Sequence, residues 1–276
     1  MRPDLGINPN QKVNKRPLLS IVTVVKNGDI ILEKTILNVI NQSYTQIEYI
    51  IIDGGSTDNT LAIIKKYDAS INYWISEPDK GIYDAMNKGI KKATGDWINF
   101  MNAGDEFYDL NTCKKIAENI SNNDFDIIYG DFAAKNNVFN SEILIKAKHL
   151  NSIWKGNMFS HQSCFIKSGI LRNNLFNLKY SIVADYDQII SIYLQNHSFF
   201  YLAIPIARTL TGGVSYSNLN TYIEQIKVVH SRKPYTLRLY YFIFPIFLNF
   251  LRIIIGTKAT TFVRQMKWKI LSHNLQ

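Results

Sequence analysis

The sequence predicts an α/β protein, a mostly parallel and doubly wound sheet followed by a helical, basic C-terminal tail. Apolar β-branched runs alternate with segments of helical periodicity from Leu18 to Tyr129. The links between them are short, so neighbouring strands must be parallel and joined through right-handed helical crossovers. The charge is lopsided, since the whole excess of the formal +9 lies beyond Glu224.

Taken in order, Leu18 to Val25 is a continuous apolar run of the kind that buries both faces of a central strand. Leu32, Ile36, Val39 and Ile40 then recur at helical spacing. Ile47 to Ile52 forms a second buried strand that ends at Asp53. Gly54, Gly55 and Ser56 make a turn, and Thr57 to Tyr67 a helix. Ile71 to Ile75 is a third strand and Ile82 to Ala93 a helix. Asp96 to Met101 is a fourth strand, bounded by Gly95 and Gly104. Thr112 to Ile120 is helical and Phe125 to Tyr129 extended. The pattern then loosens: Met158 to Ile166 reads as a strand, Ala184 to Gln195 as a helix, and Phe199 to Leu210 as one or two strands. This divides the chain into an N-terminal arm (1–16), one α/β domain (17–217) and a tail (218–276).

An apolar share of 46% excludes wholesale disorder, and 276 residues suffice for a sizeable core. After Glu224 come nine bases and no acid: Lys227, Arg232, Lys233, Arg238, Arg252, Lys258, Arg264, Lys267 and Lys269. The 22 Lys and Arg that remain balance the 22 Asp and Glu, so the body is formally neutral. A nucleic-acid enzyme spreads its bases over the working face, and that class is set aside. Cys113 and Cys164 lack metal-ligand spacing and fit a reducing compartment. Met1 to Pro17 lacks the apolar core of a secretory signal, which suggests a cytoplasmic arm.

In a doubly wound sheet, ligands bind beyond the carboxyl ends of the strands. Four polar clusters are expected there. The first is Asp53-Gly54-Gly55-Ser56-Thr57-Asp58, where glycine lets backbone approach a ligand and a helix N-terminus favours anions. The second runs from Glu77 to Gly89. Within it Asp84, Asn87 and Lys88 share a helix face suited to a nucleotide, or to a plain solvated ion pair. The third is Asn102-Ala103-Gly104-Asp105, where a carboxylate can ligate Mg²⁺ or Mn²⁺. The fourth is Ala184-Asp185-Tyr186-Asp187, in which either acid fits a general base or a first-turn charge on the helix dipole. His161 and Gln162 are candidates for an acceptor pocket, and Gly212 to Ser215 for a loop over a diphosphate.

The order of these motifs, with Leu19 to Asn27 ahead of them, resembles the family 2 glycosyltransferases of the GT-A fold over about residues 17–216. The nearest look-alikes assemble bacterial capsule, O-antigen and exopolysaccharide. The resemblance implies a GT-A-like Rossmann-type sandwich. It also implies an inverting transferase using Mg²⁺ or Mn²⁺ to move sugar from a nucleoside diphosphate sugar to a lipid-linked glycan. Thr23, Val24, Asn27, Asp53, Gly55, Ser56, Lys80, Asp84, Asn102, Ala103 and Gly104 would then contact the donor. Asp105 would be the metal ligand, matching the last acid of an Asp-x-Asp motif otherwise replaced by Asn102 and Gly104. Asp185 would be the base, although Ala184 stands where the family often has Glu, which keeps Asp187 in play. The rivals are a nucleotidyltransferase and a sugar-nucleotide or glycan-binding module without catalysis.

In the tail, Leu239 to Leu251 is 13 residues of aromatic and aliphatic character, short of the about 20 a spanning helix needs. Arg238, Tyr241, Pro245, Asn249 and Arg252 mark one polar stripe of a helix. Such a helix suits the interface of an anionic membrane, which would place the protein peripherally on the inner face. The alternative is packing on the body or on a homodimer partner.

Overall fold

The computed structural model describes residues 16–136, 141–210 and 219–232. The elements are β1 (Leu19–Val25), α1 (Leu32–Ile40), β2 (Ile47–Asp53), α2 (Thr60–Lys66), β3 (Tyr73–Ser76), α3 (Ile82–Lys92), β4 (Trp97–Phe100), β5 (Glu106–Phe107), α4 (Thr112–Asn122), β6 (Ile127–Asn136), β7 (Ser141–Ile145), β8 (Cys164–Lys167), α5 (Ser168–Asn173), α6 (Ala184–Leu194), β9 (Phe199–Leu210) and α7 (Leu219–Arg232). The sheet runs β3-β2-β1-β4-β8-β6-β9-β5, with β7 beside β6.

Strands β1 to β4 are parallel, as the crossover argument requires. Strand β8 then runs antiparallel to both β4 and β6, so β6 regains the original direction and β9 follows it in parallel. Strands β4 and β8 share only two register pairs, Trp97 with Lys167 and Ile98 with Ile166, as few as β5 and β9. By contrast, β1 and β2 share seven.

Alternation along the strands divides the apolar residues between two faces. Val22, Val24, Ile50 and Ile52 pack with Met86 and Ile90 of α3 and with Ile189 and Ile190 of α6. Ile21, Tyr49 and Ile51 pack with Leu32 and Ile36 of α1 and with Ile116 of α4. Helix α3 lies close on β1 because residue 89 is glycine. A Cβ there would stand 2.4 Å from Val22 Cγ1.

Several boundaries differ from expectation. Helix α2 begins at Thr60, because Asn59 and the residues before it belong to a turn bonded to the β1–α1 loop. The third strand is Tyr73–Ser76, after a 3₁₀ turn at Asp68–Ser70. The Met158 to Ile166 run breaks at a 3₁₀ turn, His161–Ser163, before β8 begins. Phe199 to Leu210 is one strand. Strands β5 and β7 were not expected.

Helix α7 falls where the tail was expected to begin, yet it packs on the body. Val228 and Val229 are buried, and Arg232 Nη2 pairs with Asp187 at 3.2 Å. Of the nine late bases, Lys227 and Arg232 therefore sit on a docked helix. The arm before Arg16, the Gly212 to Ser215 loop and the tail from residue 233 lie outside the described residues. Among the described residues no helix is long and apolar enough to cross a membrane.

Candidate functional site

Because β1 to β4 point the same way, their following loops share one rim. The first two are tied together. Asn27 adopts φ 50, the left-handed region, and its amide donates to Ser56 Oγ at 2.7 Å. Its Oδ1 accepts the Thr57 amide at 2.9 Å. Gly28 N–H donates to Thr60 Oγ1 at 2.9 Å, and Asp29 N–H to Asp58 Oδ2 at 3.2 Å. Asp53 is fully buried. It accepts hydrogen bonds from the Gly55 and Ser56 amides and from the Ser56 and Ser76 hydroxyls. Gly55 itself takes φ +76. Asp53 therefore holds the loop in shape, with its carboxylate engaged by the loop and by Ser76.

Thr23 is likewise corrected. It is fully buried, and its hydroxyl donates to Met101 O at 2.7 Å, so its side chain fastens β1 to the end of β4 instead of facing a ligand. Val24 is 5% exposed and reaches the rim only through its carbonyl, which accepts the Ala103 amide at 3.2 Å.

The Glu77 to Gly89 block is split in function. Gly81 takes φ +113, and Asp84 Oδ2 accepts the Lys80 amide at 3.0 Å, which ties the chain ahead of α3 to an acid in its first turn, at the positive end of the helix. Lys80 stays exposed at the rim. Lys88 Nζ pairs with Glu77 at 2.8 Å. Asn87 points inward: its Nδ2 donates to Phe176 O at 2.9 Å, and its Oδ1 accepts the Phe176 amide at 2.8 Å. The expected Asp84–Asn87–Lys88 recognition face thus loses Asn87, which anchors a distant segment.

The Asn102 to Asp105 turn follows β4. Gly104 has φ +95 and packs where a Cβ would meet Ile31 and Leu210 side chains at 3.2 Å. Thr35 Oγ1 accepts the Gly104 amide and donates to the Asp105 carbonyl. The Asp105 carboxylate is 8% exposed and accepts Gln162 Nε2 at 2.6 Å. Burial pushes its pKa up to about 6, against the pull of Gln162 and His161. Gln162 is 8% exposed, so it supports Asp105 and is not an open acceptor surface. Asn102 Oδ1 is buried and has no partner among the described residues. Among the described residues no three His, Cys, Asp or Glu side chains gather to hold a metal. A carboxylate and an unpartnered amide oxygen on one turn still fit a hard cation that takes its other ligands from phosphate and water.

Strand β8 runs opposite to β4, so the turn before it, His161–Ser163, comes to the same rim. Asn102 Nδ2 stands 3.1 Å from His161 Nε2, and His161 Nδ1 is 3.5 Å from Asp185 Oδ2. Asp185, in the first turn of α6, also accepts the Tyr83 hydroxyl at 3.1 Å and Asn157 Nδ2 at 3.4 Å. Burial first, then the Asp185 charge, holds the Tyr83 phenol well above its usual pKa. Asp185 and His161 border a small hollow otherwise lined by Ile153, Met158, Phe159, Tyr186 and Ile189. Asp187 turns away. It is 3% exposed and engaged by Arg232 and Asn177, which leaves Asp185 as the acid facing the rim.

Asn102, Asp105, His161, Gln162 and Asp185 thus converge, and the Asn27–Asp53–Ser56 group adjoins them through the Val24–Ala103 contact. Sequence reasoning missed Thr35, Tyr83 and Asn157, which act across separations as large as 102 residues. Tyr83 at least lay inside a block already singled out.

Comparison with known proteins bears on the family and the fold. A PGL/p-HBAD biosynthesis glycosyltransferase of Mycobacterium bovis is 30% identical over 176 residues, which cover 62% of this chain and 68% of that protein. An uncharacterized glycosyltransferase of Haemophilus influenzae is 39% identical over 92 residues, 32% of this chain and 37% of that one. Among solved structures, a fragment of S. aureus TarS in complex with UDP-GlcNAc superposes with a TM-score of 0.64 at 16% identity, covering 77% of this chain. The chain spans 65% of that fragment, just under two thirds. A mannosyltransferase from Pyrobaculum calidifontis in complex with GDP-Man and Mn²⁺ superposes with a TM-score of 0.60 at 13% identity, covering 93% of this chain and 81% of that one. At these identities the structures speak for the GT-A fold alone. The model of glycosyl transferase family 2 matches residues 20–176, and the chain belongs to that family.

Proposed function

We propose that the protein is an inverting glycosyltransferase that moves a sugar from a nucleoside diphosphate sugar to a hydroxyl of a lipid-linked glycan, in cell-surface polysaccharide assembly. The observation that carries the reading is Asp185. Its side chain is 13% exposed, held by Tyr83 and Asn157, and borders a hollow at the rim where Asp105 and Asn102 also lie. A carboxylate so placed can take the proton of an acceptor hydroxyl as that oxygen attacks the anomeric carbon from the face opposite the leaving diphosphate. One displacement inverts the configuration.

The Asn27 and Ser56 loops, bonded to each other and to Asp53, would give the donor nucleotide a rigid, preshaped wall. Asp105 and Asn102 would hold Mg²⁺ or Mn²⁺, which supplies neutralising charge beside the diphosphate. His161, between Asn102 and Asp185, spans the donor and acceptor sides. The basic, amphipathic tail would keep the enzyme at the inner membrane face, near a lipid-linked acceptor.

The test is a panel of UDP-glucose, UDP-N-acetylglucosamine and GDP-mannose, scored for thermal stabilisation with and without Mn²⁺. Turnover with membrane lipid extract must then release nucleoside diphosphate. Release of pyrophosphate would instead mean nucleotidyl transfer, and binding without turnover would mean a module that has lost catalysis.

A further inference from the structure

Helix α6 carries Asp185 in its first turn but has no cap of its own. Val183 occupies the N-cap position and makes no side-chain bond to the helix. The amides at such an end need acceptors, and an acid in the first turn is the usual candidate to fold back on them. Asp185 does not, because its carboxylate oxygens are directed to Tyr83, Asn157 and His161.

What α7 supplies is a hold on the segment that leads into this turn, ending at the N-cap amide of Val183. Glu224 Oε1 accepts the Ser181 amide at 3.1 Å and the Ser181 hydroxyl at 2.9 Å. Its Oε2 accepts the Ile182 amide at 2.9 Å and the Val183 amide at 3.2 Å. Burial alone would raise the Glu224 carboxyl pKa, but these donors outweigh it and hold the pKa below the usual range. At the far end of the same helix, Arg232 binds Asp187, the other acid of the α6 first turn. Helix α7 therefore grips α6 on both sides of Asp185. The Tyr83 hydroxyl joins the arrangement by sharing its one proton between Asp185 Oδ1 and Ile182 O, the latter at 2.8 Å within the segment that Glu224 holds.

We propose that Glu224 is a positioning residue for Asp185: by bracing Ser181, Ile182 and Val183 from a separate helix, it fixes the entry of α6 and so holds the Asp185 carboxylate toward the acceptor hydroxyl. This rests on the reading of Asp185 as the base. A displacement of about 1 Å at a reacting group costs on the order of 100-fold in rate, so a loosened first turn must show in kcat before it shows in binding.

The experiment compares Glu224→Ala and Glu224→Gln with the wild type in the full chain. The assay is nucleoside diphosphate release from whichever of UDP-glucose, UDP-N-acetylglucosamine and GDP-mannose turns over, well below the melting temperature. Amide exchange across residues 181–190 is followed in parallel without any ligand. Glu224→Ala should lower kcat at least about tenfold with donor KM within about twofold, and should speed exchange in the α6 first turn. Glu224→Gln, which keeps an acceptor oxygen, should recover part of both. Unchanged kcat alongside a lowered melting temperature would make Glu224 a stabilising contact only and overturn the proposal, and so would unaltered exchange in either variant. If Glu224→Ala fails to fold, the same two readouts are taken from Glu224→Gln. Asp185→Asn run beside them separates the two ideas. If Asp185→Asn keeps full turnover, the assignment of the base fails. If Asp185→Asn is inactive and Glu224→Ala is fully active, the positioning role fails by itself.

Discussion

The two stretches of the rim contrast in how far their polar groups are satisfied within the protein. On the β1–β2 side, Asp53 has four hydrogen-bond donors, and Asn27, Ser56, Asp58 and Thr60 are bonded across the two loops. On the β4–β8 side, Asp105 is held by Gln162 and the Leu210 amide yet keeps a raised pKa, and among the described residues Asn102 Oδ1 has no partner. A buried polar group without a partner costs roughly 1–3 kcal/mol, and such a cost persists where a ligand repays it. The first stretch is closed upon itself, and in the proposed reading it would seat the donor. The second keeps polar atoms open, which in the same reading would serve the reacting groups.

Three substitutions probe that contrast. The largest effect is expected for Asp185→Asn. Nucleoside diphosphate release should fall by about 10²–10⁴-fold, while stabilisation by the donor stays within error of wild type. A loss of donor binding would place Asp185 on the donor side instead. Next is Asp53→Ala, which strands buried donors and should cost about 2–4 kcal/mol of stability, measured by urea unfolding. A near-neutral result would show that the loops do not depend on it.

The smallest effect carries the opposite sign. Burial raises the Asp105 pKa above its unfolded value, so the protonated form is favoured on folding. The resulting stabilisation is fully present below the unfolded value, near pH 4, and is lost as pH rises through about 6. In EDTA at pH 8, Asp105→Asn should therefore be more stable than wild type, by on the order of 2 kcal/mol. That advantage should vanish near pH 4. Melting curves at the two pH values check this, and an advantage independent of pH would mean that the gain is not electrostatic.

The parallel half was legible because each strand there is a continuous apolar run and each crossover carries a 3.6-residue period. Residues acting through the chain's own neighbourhood were also legible, such as the glycines of the Asp53 turn. What escaped was long-range. Thr23 and Val24 fall on the expected strand end, yet spacing cannot say that one hydroxyl is spent on Met101. The antiparallel insertion of β8 leaves no periodic signature in four residues. Asp185 and Asp187 are indistinguishable until Arg232 appears beside one of them. The reach of Asn87 to Phe176 and of Glu224 to α6 depends on packing that exists only after folding.

The two-pair ladder between β4 and β8 has a mechanical consequence. Asn99 Oδ1, Asn102 Oδ1 and Ser163 Oγ, the buried side-chain atoms without partners among the described residues, belong to β4, to the turn after it and to the turn before β8. One of the sheet's two shortest ladders thus coincides with the line along which catalysis is proposed to occur. Local opening is expected along so short a ladder before the long ladders yield. On warming, turnover should disappear several degrees ahead of global unfolding, because the two sides of the cleft drift out of alignment while most of the sheet is still intact.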